Sequence, residues 1–126
     1  MRMIEQEIIA ALKHESDFST PVTQDMYGKK EGRRDVLVWN EDYPGIFSLK
    51  LWGHQIAKGD TISRTLEVSD CGYATATTKS RLNAVFAALE IPMSCTIRKK
   101  KMVYFYKGKE ISGKEIETSD YVISIA

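Results

Sequence analysis

Arg98, Lys99, Lys100, Lys101, Lys107 and Lys109 fall within residues 95–109, a stretch that contains no acid, and Tyr104 and Tyr106 are interleaved with them. If Met102, Tyr104 and Tyr106 share the outer face of a strand, two rings stand beside a group of ammonium charges. That combination stacks the bases and neutralises the phosphates of single-stranded nucleic acid. The same residues also suit a protein contact, and lysines at a hairpin end are a common way for sheets to avoid pairing with other chains. Lys29, Lys30, Arg33 and Arg34 form a second basic group, interrupted by Glu31 and followed by Asp35. Mixed charge with glycine describes any solvated loop.

Nothing comparable supports catalysis. His14 and His54 are the only histidines, neither stands in an H-E-x-x-H or beside a G-x-S-x-G, and the carboxylates show no paired pattern. No phosphate loop or dinucleotide fingerprint is present. Cys71 and Cys95, the only cysteines, form no C-x-x-C and have no histidine at zinc-ligand spacing, so buried free thiols are expected, with no metal and no cofactor. The expectation is a non-enzymatic protein.

The residues around these groups set the framework. At 126 residues the chain fits one domain, 1–126, and apolar and charged fractions of 43% and 28% argue against disorder or a disulfide scaffold. A net charge of +1 predicts no polyanion partner for the whole molecule, so any basic surface has to be local. Met1 to His14 mixes Glu5, Gln6 and Glu7 with Ile4, Ile8, Ile9 and Leu12, which rules out a secretory apolar segment and gives an amphipathic helix instead. No run approaches a membrane span, so a soluble protein with a cytoplasmic location is expected.

From Ser16 to Arg34 periodicity fails, and a long loop over 16–34 is expected. Residues 35–39 and 46–52 then read as a hairpin across the turn 41–45, with Phe47, Leu49 and Leu51 on one face. Gln55-Ile56-Ala57 extends the sheet before a turn at Gly59-Asp60, and Ile62 to Val68 gives a weaker strand. A second helix follows, capped by Thr77 or Thr78, with Leu82, Val85, Phe86 and Leu89 as its core stripe and Pro92 as its end. Lys79 and Asn83 flank that stripe on one side and Arg81 on the other, which predicts an interior bond from Asn83 or Arg81 to a neighbouring loop carbonyl. Further strands are expected at 95–98, 102–106 and 121–125. The fold class is α+β, a mainly antiparallel sheet with two helices packed on one face.

One segment carries a resemblance. Trp52-Gly53-His54-Gln55-Ile56-Ala57, then Gly72 to Asn83 with its T-x-T-T-K-x-R-L-N run, then Met102 to Tyr106 follow one another in this order. The arrangement resembles a diffuse family of small proteins encoded by bacteriophages and other mobile elements, over roughly residues 45–110. The resemblance implies a phage origin and, since small phage accessory proteins often act by binding, a protein that modulates a host or defence component by direct contact. The contact surface expected for it is the hairpin of Arg98 to Lys101, Tyr104, Tyr106, Lys107 and Lys109, with Thr77, Thr78, Arg81 and Asn83 as a structural motif. Nucleic-acid binding through the same hairpin is the alternative. A third possibility is a nucleotide-signal sponge, which needs Trp39, Trp52, Arg64, Tyr73 and Arg81 to meet in one pocket.

Overall fold

The computed structural model describes residues 3–24 and 30–126, apart from the side chains of 23, 24, 30 and 31. Helix α1 (Met3–Lys13) is followed by strands β1 (Phe18–Ser19), β2 (Val22–Gln24), β3 (Lys30–Arg33), β4 (Asp35–Trp39), β5 (Ile46–Leu51), β6 (His54–Asp60) and β7 (Thr65–Val68). Helix α2 (Ala76–Ala88) leads to β8 (Met93–Arg98), β9 (Lys101–Tyr106), β10 (Lys109–Glu110), β11 (Glu115–Glu117) and β12 (Val122–Ile125).

A seven-stranded sheet runs β1-β4-β5-β6-β7-β12-β11, antiparallel at every step but β7 to β12, which is parallel. β10-β9-β8 form a three-stranded sheet and β2-β3 a two-stranded one. The fold is α+β. The expected loop over 16–34 is replaced, in its described part, by three strands too short to show a periodicity; residues 25–29 lie outside the described residues.

Alternation decides which face of the sheet is covered. Leu37, Phe47, Leu49, Leu51, Leu66, Val68 and Ile123 are buried with Ile8, Ala11 and Leu12 of α1 and Leu82, Val85 and Phe86 of α2 in one apolar core. The register slips between Leu49 and Lys50, whose partners are Ala57 and Gln55. Ile56 is the extra residue of this bulge, so Ile56 and Ala57 are both buried. Gly59 does not turn the chain as expected but lies inside β6, where a Cβ would come within 2.5 Å of the Phe47 ring. Only glycine lets that ring lie over the strand.

Helix α2 starts earlier than its threonines suggested. Thr75, not Thr77 or Thr78, is the N-cap: its hydroxyl accepts from the Thr78 amide at 3.2 Å, and the helix proper begins at Ala76. Thr78, buried, adds its own hydroxyl to Thr75 at 3.0 Å. The other end closes before Pro92 acts. Glu90 adopts φ 57, the Ile91 amide donates to Phe86 O and the Glu90 amide to Ala87 O, the paired bonds of a Schellman ending.

Candidate functional site

The R-L-N part of the threonine box is absorbed by the interior. Arg81 is buried and donates from Nε to Asp35 Oδ1 at 2.6 Å and from Nη2 to Asp35 Oδ2 at 3.3 Å. Arg34 Nε donates to the second Asp35 oxygen at 2.7 Å, and the Asp35 amide donates to Thr20 Oγ1 at 3.0 Å. Ser80 Oγ accepts from Arg81 Nη1 at 2.9 Å and bonds Glu5 Oε1 at 2.6 Å. This chain of charges fastens α1 and α2 to the first residue of β4, and it uses a carboxylate where a loop carbonyl was expected.

Asn83 works on the opposite flank. Its Nδ2 donates to Cys95 O at 3.0 Å while its Oδ1 accepts from the Cys95 amide at 2.8 Å. Cys95 faces Tyr104 across the hairpin, and its outward peptide groups are held by the Asn83 amide as a neighbouring strand would hold them. Burial pushes the Cys95 thiol up to about 12, which keeps it protonated and inert at neutral pH. Both cysteines are free.

The basic hairpin is built differently from the expected stacking platform. Tyr104 is buried, edge-on to Phe86 at 6.5 Å between centroids, and Met102 and Tyr106 pack against the same core. Their shared face is therefore the inner one, because α2 offers apolar surface there and burying a ring outweighs leaving it wet. The Tyr104 hydroxyl is buried without a hydrogen-bond partner among the described residues, and burial pushes its pKa upward. Lys107 Nζ lies 5.5 Å from the Tyr106 ring centroid, and Arg98 pairs with Glu110. Lys99 and Lys100, at φ 52 and 62, form the two-residue turn between β8 and β9, and Lys101 and Lys109 are exposed. The lysines thus cluster at the hairpin ends, with the Tyr104 ring withdrawn into the core.

A different group of aromatics comes together. Trp52 and Gly53 form the tight turn between β5 and β6 at φ 50 and 81, with the Trp52 amide donating to Arg34 O at 2.7 Å and the indole side chain 47% exposed. Facing it is a second turn, Asp70 to Tyr73, in which Cys71 and Gly72 take φ 53 and 82. The Asp70 carboxylate accepts from the Gly72 amide at 2.9 Å and the Asp70 carbonyl from the Tyr73 amide at 2.8 Å. Ser69 and Cys71 tie this turn to the bulged strand, through the Ser69 amide to Ile56 O at 2.9 Å and Cys71 Sγ to Gln55 O at 3.2 Å. Tyr73, 55% exposed, rests its ring 5.0 Å from that of His54. Between the turns lies a cleft of about 420 Å³ lined by Trp52, His54, Asp70 and Tyr73 over Leu51, Ile56 and the first turn of α2.

Of the residues expected to meet in one pocket, Trp52 and Tyr73 do so. Trp39 packs on Phe47, Arg64 lies over Tyr121 and Arg81 is held by Asp35. Asp70 and His54 complete the cleft; the sequence signal for it was the pair of X-Gly turns, Trp52-Gly53 and Cys71-Gly72, each carrying or adjoining a large ring. Among the described residues no group of three or more His, Cys, Asp or Glu is placed to hold a metal ion. No helix among them is long and apolar enough to cross a membrane.

A family model described as Kyanoviridae Gp96 protein matches residues 1–124. The chain belongs to the Kyanoviridae Gp96 family. It is thus a bacteriophage protein, as the resemblance implied, although the match extends over the N-terminal helix and the 16–34 region and does not single out the threonine box. Comparison with curated proteins and with solved structures gives no match.

Proposed function

We propose that this Kyanoviridae Gp96 protein is a non-enzymatic binding protein that modulates a host or defence component by direct contact, and that the Trp52–Tyr73 cleft is the contact surface. The observation that carries this reading is the placement of two large, half-exposed rings on two tight turns at the rim of one cleft. Exposed aromatics around a concavity are the groups that anchor protein interfaces. Holding them on tight turns lowers the entropy lost when a partner docks.

Capture from host-cell lysate with the tagged protein, with and without nuclease, tests the reading. A protein partner retained after nuclease and lost with Trp52→Ala/Tyr73→Ala supports it, provided circular dichroism shows the variant folded. Retention unchanged in that variant would move the contact surface elsewhere.

The exposed lysines of the β8–β9 and β9–β10 turns favour a second reading, nucleic-acid binding through the hairpin. Its signature is affinity that falls steeply with salt as counterions are released from phosphates. Lys99→Ala/Lys100→Ala should then reduce that slope, and a salt-independent interaction would dismiss it.

A further inference from the structure

We infer that the cleft receives an arginine side chain of a protein partner. The inference rests on the proposed role of the cleft as a contact surface and names the chemistry of what fills it. Among the described residues that line the cleft, Asp70 is the one carboxylate and there is no lysine or arginine. The rings of Trp52, Tyr73 and His54 line the cleft, with Thr77 beside Thr75, whose hydroxyl caps α2. Trp52 and Tyr73 share the cavity without touching each other as a ring pair, whereas Tyr73 does touch His54.

Each of these features suits a guanidinium. It is planar, so it stacks on indole and phenol faces; it is cationic, so it is drawn to the ring quadrupole and to the carboxylate; and its five donors match a carboxylate with hydroxyls beside it. A lysine ammonium satisfies the charge but cannot stack. A neutral planar base satisfies the stacking but forgoes the charge. The apolar floor of Leu51 and Ile56 accommodates the methylene stem, and a cavity of about 420 Å³ leaves room for the residues flanking the arginine. The N-terminus of α2, which disfavours a cation, borders the cleft, so the attraction has to come from Asp70 and the rings.

The test is a titration of the full ¹⁵N-labelled chain at pH 8, above the ordinary imidazole range. The probes are acetyl-Gly-Arg-Gly-amide, its lysine and citrulline counterparts, and guanosine. The arginine peptide should shift the Trp52 indole N–H and the Gly72 amide saturably, about tenfold more tightly than citrulline, which keeps the planar shape and removes the charge. Asp70→Asn should narrow the difference between arginine and citrulline to the part the rings supply, and Trp52→Ala should abolish saturation while the remaining amide spectrum stays dispersed. Equal binding of arginine and citrulline to the unmodified protein overturns the inference, as does tighter binding of guanosine at the same residues or no shift at Trp52 and Gly72. Those results leave the cleft itself to the capture experiment, which fails separately if loss of Trp52 and Tyr73 does not release the partner.

Discussion

Arg81→Ala should be among the most damaging single substitutions in this protein, because of what it leaves behind. The Asp35 side chain is fully buried, and Arg81 provides its bonds at 2.6 and 3.3 Å. After truncation its remaining cation is Arg34, whose side chain is 37% exposed and so acts through partly aqueous surroundings. Breaking a buried ion pair by removing one partner typically costs about 3–5 kcal/mol. Arg34 places this case at the lower end, about 3 kcal/mol, against a total stability of roughly 5–15 kcal/mol for a domain. With a urea dependence of about 2 kcal/mol per molar, the unfolding midpoint should fall by about 1.5 M. Replacing both partners, Asp35→Leu/Arg81→Met, should recover most of the loss, since the penalty belongs to the orphaned charge and not to the absence of the bond. Equilibrium urea unfolding of Asp35→Leu, Arg81→Met and the double variant, with Arg81→Ala beside them, measures this coupling directly. A loss below about 1 kcal/mol for Arg81→Ala would refute the reasoning, and a double variant no better than Arg81→Ala would place the cost in packing instead.

Three further outcomes follow from the backbone and the core. Glu90 ends α2 at φ 57, a conformation glycine adopts without penalty, so Glu90→Gly should raise stability by about 1 kcal/mol in thermal unfolding; no gain would refute the Schellman assignment. The Tyr104 hydroxyl is buried without a partner among the described residues, so Tyr104→Phe should be neutral or up to about 1 kcal/mol more stable, and a clear loss would reveal a bond that the fold requires. Burial pushes the Cys95 thiol up to about 12 from an ordinary 9.0, so between those values the native state keeps a proton that the unfolded state has lost. Stability should therefore fall as pH rises from 9, by up to about 1.4 kcal/mol per unit from this group, and Cys95→Ala should flatten the slope between pH 9 and 10, below the ordinary tyrosine range.

The parts of the fold legible in the sequence are those where one periodicity dominates. Phe47, Leu49 and Leu51 alternate on β5 and the helical spacing of Ile8, Ala11 and Leu12 marks α1, because burial on one side selects side chains at the period of the element. β1 to β3 were missed: they are two to four residues long, and their side chains carry no alternation. Tyr104 misled for another reason. A tyrosine between lysines reads equally well facing in or out, and only the position of Phe86 on α2 decides it. The interior role of Asn83 followed from its place beside an apolar stripe, but the partner of Arg81 did not, since Asp35 stands forty-six positions away. The cleft depends on two turns meeting across the end of the sheet, and neither local composition nor spacing encodes that meeting.

The central claim is that the Trp52–Tyr73 rim, and not the lysine hairpin, touches the partner. Site-specific photocrosslinking tests it most directly: p-benzoylphenylalanine is placed at position 73 in one protein and at position 109 in another, and each is irradiated in host cells. A discrete crosslinked protein from position 73 and none from position 109 is the predicted result. Crosslinks from position 109 alone, to protein or to nucleic acid, would contradict it.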